Sequence, residues 1–103
     1  STAVHHKINT ITIVMNNKSW GAEKAYQRDF YDHRYIGADI NSPPFHKLAE
    51  IYGAKGYHVE ELKELRNAVS NALLCNKPAV INVDVDPNAL YSFRKDSFKH
   101  RSK

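Results

Sequence analysis

The hydrophobic and polar positions of the chain follow strand-like and helix-like patterns in turn. Runs rich in β-branched residues predict strands at residues 8–16 and 79–85, and residues 55–59 fit a short third strand. Apolar side chains at helical spacing predict two helices, at residues 43–52 and 60–75, and a loop with a short helix is expected over 22–35. This order predicts an α/β fold in which helices cover both faces of a parallel sheet.

Two further expectations concern particular elements. The run at 8–16 carries almost no charge, which is typical of a strand covered on both faces, so we predict that it is a central strand. Ser42 is a favoured N-cap residue and Pro43 suits a first helical position, so the helix that follows is expected to start there and to end at Gly53.

Candidate chemistry lies in the loop that follows the first strand. Ligands of parallel sheets sit at the carboxyl ends of the strands, and here the first strand ends in Asn16 and Asn17. Amide oxygens are hard ligands of the kind that Mg²⁺ accepts in proteins. A pair of asparagines after a strand is also a common turn, so a metal site and a simple turn both remain open at this point.

The composition describes one globular domain. The chain has 103 residues, of which 42% are hydrophobic and 25% charged, which excludes collagen-like, disulfide-framework and strongly disordered classes. Its one cysteine, Cys75, favours a reducing, cytoplasmic setting, and no run approaches the ~18 apolar residues of a membrane span. The sequence starts at Ser1, without an initiator Met, and we expect a piece of a longer chain.

The net charge of +4 arises from the end of the sequence. Residues 92–103 hold five basic side chains and Asp96 alone as an acid, so that residues 1–91 are electrically balanced. We therefore divide the chain into a domain at 1–91 and a basic C-terminal tail at 92–103. The tail resembles no nucleic-acid-binding module, and we predict that the protein binds neither nucleic acid nor membrane.

Several blocks of the sequence resemble one superfamily of enzymes. The segment 13–21, with its Asn-Asn pair, is similar to the end of the thiamin-diphosphate motif of the acetolactate synthase and pyruvate decarboxylase superfamily. Within it, sulfoacetaldehyde acetyltransferases are resembled by the block 20–24, by Gln27, residues 29–31 and Arg34, and by the later segment 93–96. The resemblance implies the C-terminal part of a Rossmann-like, thiamin-diphosphate-binding domain, without the upstream Gly-Asp-Gly element and the amino-terminal domain of the family.

The resemblance also implies roles for five residues. Asn17 would bind Mg²⁺ through its side-chain oxygen and Ser19 through its backbone carbonyl, with the metal holding the diphosphate of thiamin diphosphate. Trp20 and Gly21 would lie beside that diphosphate. Glu23 matches a position that is an active-site acid in some relatives, and a solvated helix carboxylate is the alternative.

The implied reaction converts sulfoacetaldehyde and phosphate to acetyl phosphate and sulfite, in a homo-oligomer (dimer or tetramer) when the enzyme is whole. Arg34 suits an anionic group such as a sulfonate or phosphate, or a salt bridge to Asp29 or Asp32. Two other functions stay open: an acetolactate synthase-like enzyme acting on 2-oxo acids, and a non-catalytic α/β binding module.

Overall fold

The structure is a computed structural model that describes residues 1–92, and it divides into two compact units. Ser1–Asn16 and Ser42–Val85 form the first, which we call the sheet unit. Asn17–Asn41, with the segment that starts at Asp86, forms the second, the loop unit. Nearly all of the predicted basic tail, including the family-like segment 93–96, lies outside the described residues.

Helices and strands follow each other in the predicted order, and the α/β fold class is confirmed. The elements are α1 (Thr2–His5), β1 (Ile11–Asn16), α2 (Gly21–Phe30), α3 (Phe45–Ile51), β2 (Lys55–Val59), α4 (Leu62–Leu74) and β3 (Ala79–Asp84). Among residues 1–92, no helix has the length and apolarity needed to cross a membrane.

The three strands form one parallel sheet with the order β1-β3-β2. In the register of the sheet, Asn16 of β1 faces Asp84 of β3, and Val59 of β2 faces Val83. All three strands therefore end at the same edge, which is the edge where parallel sheets bind their ligands.

The prediction that the first strand is central is wrong for the described residues. β1 is an edge strand that starts at Ile11, and β3 takes the central place. Ile13 and Met15 of β1 are 45% and 64% exposed. A β-branched, uncharged sequence encodes a strand, but the neighbours of that strand are set by pairing with segments far away in sequence.

Helices cover both faces of the sheet, because alternate residues of a strand point to opposite sides. On one face, Ile81 and Val83 of β3 pack with Ala68 and Ala72 of α4 in the hydrophobic core. On the other face, α3 approaches β2 so closely that the backbone of His46 lies directly over Gly56.

The start of α3 differs from the prediction. The helix begins at Phe45 with Pro44 in the N-cap position, two residues later than the predicted start at Pro43, and Ser42 is not its cap. Pro43 precedes another proline, whose ring disfavours the helical conformation of the residue before it. The Pro-Pro pair therefore delays the helix to Phe45.

We predict that Gly56→Ala destabilises the sheet unit by about 3 kcal/mol, in the upper part of the range for overpacked sites. A Cβ atom at position 56 would overlap the backbone carbonyl of His46, and neither backbone can yield without shifting α3 from β2. Urea unfolding should report the loss as a lower midpoint. Gly37→Asn is the matched control, since its position is open and its positive φ is one that Asn tolerates. Equal midpoints for the two variants would contradict the close approach.

Candidate functional site

The two asparagines after β1 have different partners. Asn16 is buried, and its side-chain amide donates a hydrogen bond to Oδ1 of Asn82 at 3.1 Å in the sheet unit. In the loop unit, Oδ1 of Asn17 accepts a hydrogen bond from the backbone N–H of Ser19 at 3.1 Å. The turn expected of an Asn pair is thus present. A carbonyl oxygen has two lone pairs, so the Asn17 oxygen retains acceptor capacity for one further ligand.

Ser19 lies in a short antiparallel bridge with Asp39. The N–H of Trp20 donates to the carbonyl of Ala38 at 2.7 Å, and the N–H of Ile40 donates to the carbonyl of Lys18 at 3.0 Å. Both hydrogen bonds use the backbone on either side of Ser19. The bridge therefore positions the Ser19 carbonyl without using it.

The side chains of Lys24 and Asp39 also stabilise this bridge. The ammonium group of Lys24 forms a salt bridge with Oδ1 of Asp39, and the Ser19 hydroxyl donates to the same oxygen at 3.2 Å. The hydrogen bond from Lys24, followed by that from Ser19, lowers the pKa of Asp39 below its ordinary value. The sequence pattern assigns no role to Asp39 and includes Lys24 only as part of the block 20–24, because the two residues are fifteen positions apart and no local pattern links them.

Gly21 begins α2 and lies against Asn17. A Cβ atom at this position would stand 2.8 Å from Nδ2 of Asn17, so a larger residue would displace the asparagine amide. Trp20 is the N-cap residue of α2 and its side chain is exposed. The loop thus brings Asn17, Ser19, Trp20 and Gly21 together in one unit, as their sequence neighbourhood suggested.

Glu23 lies in the first turn of α2, with an exposed position. Its exposure fits a solvated helix carboxylate, which interacts favourably with the positive end of a helix. A catalytic role of Glu23 stays a prediction.

Arg34 lines a groove of about 410 Å³ together with Gln27, Tyr31 and Ile36. Nε of Arg34 donates to the carbonyl of Tyr31 at 2.9 Å, while Asp29 accepts two hydrogen bonds from Arg28. The carboxamide of Gln27 exchanges two hydrogen bonds with the backbone of Ile36, at 2.9 and 3.2 Å, and so fixes the wall of the groove.

The residues of the loop fit the implied metal and cofactor. Mg²⁺ prefers oxygen ligands and shares them among carboxamides, backbone carbonyls, water and a diphosphate. Asn17 offers a partly buried amide oxygen, and the Ser19 carbonyl stands outside the bridge hydrogen bonds. The absence of a side chain at Gly21 lets the amide of Asn17 lie close to the backbone at the start of α2.

Residues 1–83 match the family model described as the thiamine pyrophosphate enzyme, C-terminal TPP binding domain. The chain belongs to this family. The match contains all three strands except the last residue of β3, and it contains the loop after β1 together with the whole of α2.

Relatives within the family carry out several different reactions. The chain is 32% identical over 100 residues to a sulfoacetaldehyde acetyltransferase of Alcaligenes xylosoxydans xylosoxydans, covering 93% of the chain and 17% of the relative. It is 28% identical over 92 residues to a probable acetolactate synthase large subunit of Methanococcus aeolicus, covering 88% of the chain and 15% of the relative.

A solved structure adds a third reaction. The thiamine diphosphate-dependent 4-hydroxybenzoylformate decarboxylase of Rhodococcus jostii has a TM-score of 0.75 and 28% identity, over 82% of this chain and 16% of that one. The chain thus spans about a sixth of the length of these relatives. The comparisons support a thiamin diphosphate enzyme, and they leave its substrate to be proposed.

The Lys24–Asp39 pair should make the bridge at Ser19 sensitive to acid. The pKa of Asp39 is lowered in the folded state, so its contribution is complete above the ordinary value of 3.8 and is lost as the pH falls below it. At neutral pH, we expect Asp39→Asn to speed hydrogen exchange of the Trp20 amide, about tenfold, as measured by NMR. Asp32→Asn, another exposed acid of the loop unit, should leave that amide unchanged. Equal exchange rates in both variants would show that the ion pair does not hold the bridge.

Proposed function

We propose that the whole protein is a thiamin-diphosphate-dependent acetyltransferase that converts sulfoacetaldehyde and phosphate to acetyl phosphate and sulfite. The main support for this choice is the similarity to a sulfoacetaldehyde acetyltransferase, which is 32% identical over 93% of the chain. The geometry of the loop after β1 supports the cofactor, since Asn17 and Ser19, which carry the candidate oxygen ligands, lie close to the start of α2 at Gly21.

In this proposal the loop holds the cofactor through a metal. Asn17 binds Mg²⁺ with its side-chain oxygen and Ser19 with its backbone carbonyl, while Trp20 and Gly21 lie beside the diphosphate. Bound thiamin diphosphate supplies an electron sink for carbon–carbon and carbon–sulfur chemistry. The salt bridge between Lys24 and Asp39 positions the Ser19 carbonyl, and Glu23 is the candidate acid that moves a proton at the substrate.

Arg34 is our candidate for recognition of the sulfonate. A guanidinium offers several N–H donors in one plane, and it suits the oxygens of sulfonate or phosphate better than an ammonium does. Its Nε is bound to the Tyr31 carbonyl, which fixes the guanidinium at the groove formed with Gln27 and Ile36. The substrate class in this proposal is therefore a small aldehyde that carries an anionic group.

The setting of the enzyme is proposed as well. A single cysteine fits a cytoplasmic protein, and the family resemblance favours a homo-oligomer. The exposed apolar side chains Ile36 of the loop unit and Leu74 of the sheet unit are of the kind that such contacts bury.

The deciding experiment is an assay of the whole protein with thiamin diphosphate and Mg²⁺. We expect release of sulfite from sulfoacetaldehyde that depends on phosphate, with acetyl phosphate as the second product. Release of carbon dioxide from pyruvate, with no sulfite from sulfoacetaldehyde, would replace this proposal with an acetolactate synthase-like activity. In the same assay, Arg34→Gln should raise KM for sulfoacetaldehyde about tenfold with a smaller effect on kcat. Arg66→Gln, an exposed arginine of α4, is the matched control.

Asn17→Ala tests the metal and the cofactor together. We expect the affinities for Mg²⁺ and for thiamin diphosphate to fall in parallel, by the order of 10- to 100-fold that follows loss of support at metal sites. Isothermal titration of the whole protein measures both. Asn67→Ala, at an exposed position of α4, should bind normally. An unchanged cofactor affinity in Asn17→Ala would remove this residue from the site.

A further inference from the structure

The face of the sheet under α3 carries a row of polar side chains. Asn82 of the central strand is 2% exposed and Asn16 of β1 is 7% exposed, and the two side chains share a hydrogen bond of 3.1 Å. Buried amides cost free energy unless their partners are arranged for them. The two buried amides therefore suggest a role in holding a neighbouring side chain in place.

Asp84 stands at the end of this row. Nδ2 of Asn82 donates to Oδ1 of Asp84 at 3.0 Å, which turns the second oxygen, Oδ2, towards His58 of β2. Nε2 of His58 lies 2.8 Å from that oxygen, and Nδ1 of His58 lies 4.0 Å from a carboxylate oxygen of Glu60. One ligand atom each of His58, Glu60 and Asp84 lies within 4.8 Å of the others.

His46 of α3 fixes the plane of the His58 imidazole. The two rings are stacked, with centroids 4.8 Å apart and planes 3° from parallel. Within the described residues, Nδ1 of His46 is buried without a hydrogen-bond partner, so the stack holds a second imidazole at a cost in solvation. The helix and the buried amides thus constrain His58 and Asp84 from two sides.

We propose that His58, Glu60 and Asp84 form a site for a divalent transition-metal ion of the Zn²⁺ class. An imidazole with two carboxylates is a donor set that suits such ions. Two ligands of a tetrahedral zinc ion stand about 3.3 Å apart, given bonds of about 2.0 Å. The His58–Asp84 pair needs to open by only about half an ångström to admit the ion, and exposed Glu60 can move to complete the set.

The orientation of Asp84 is the feature that separates this site from a chance group of exposed charges. Ligating carboxylates and imidazoles are held by further hydrogen bonds, and loss of that support weakens metal binding about 10- to 100-fold. Here Asn82 supplies the bond to Asp84 from a fully buried position. The site shares no residue with the proposed Mg²⁺ ligands Asn17 and Ser19, and its existence does not depend on the proposed function.

Titration of the whole protein with Zn²⁺, in the presence of excess Mg²⁺, tests the proposal. We expect one equivalent to bind, and the imidazole signals of His58 to shift in the NMR spectrum. Asp84→Asn and His58→Gln should weaken binding tenfold or more. Glu60→Gln should weaken it several-fold, and because Glu60 is exposed this variant keeps the fold intact.

Other histidines provide the controls. His33→Gln in the loop unit and His5→Gln in α1 should leave the affinity for Zn²⁺ unchanged. Failure to bind Zn²⁺, or binding that is lost in His5→Gln and kept in Glu60→Gln, overturns the proposal and leaves His58 and Asp84 as a hydrogen-bonded pair. Competition by millimolar Mg²⁺ would also contradict it, because a site with an imidazole ligand should prefer the transition metal.

Discussion

The parallel pairing of β3 with strands on both sides is the constraint on which the sheet unit depends. As the central strand, β3 has neighbours on both edges and helices on both faces, so each of its side chains must suit one of two environments. Ile81 and Val83 meet the apolar face of α4. Asn82 and Asp84 alternate with them and face the other way, where polar groups satisfy each other. The alternation of this one strand separates the hydrophobic core from the polar face.

The pairing of β1 with β3 also determines which edge of the sheet adjoins the proposed cofactor site. Because Asn16 and Asp84 are partners in the register, β1 and β3 end together, and Asn17 is the first residue beyond the sheet. From that point the described part of the loop unit buries Ala25 and Ala38 and is held by polar contacts around Ser19. Asn17 turns the backbone, and the salt bridge between Lys24 and Asp39 holds the segment on which Ser19 lies. Such prior order would favour the proposed binding of a metal ion by this loop, since ligands that are already in place lose less entropy on binding.

Much of the fold was predictable from local pattern. The predicted strands match β2 to the residue and β3 to within one residue. The β3 segment is a short β-branched run that follows Pro78, which makes its position local information. The start of α3 was missed because the effect of Pro44 on Pro43 outweighs the capping preference of Ser42. The candidate site was found from the Asn-Asn pair and the residues after it, all of which are close in sequence.

The sequence by itself determined the α/β class, the cofactor family and the loop after β1, because periodicity and a contiguous motif are local properties. Only the tertiary structure decided that β1 is an edge strand, that Lys24 meets Asp39, and that His58 meets Asp84 across 26 residues. These outcomes depend on strand order and register, which arise from pairing between distant segments. Periodicity and turn preferences are local properties of the sequence, whereas contacts between distant segments are set by the folded structure.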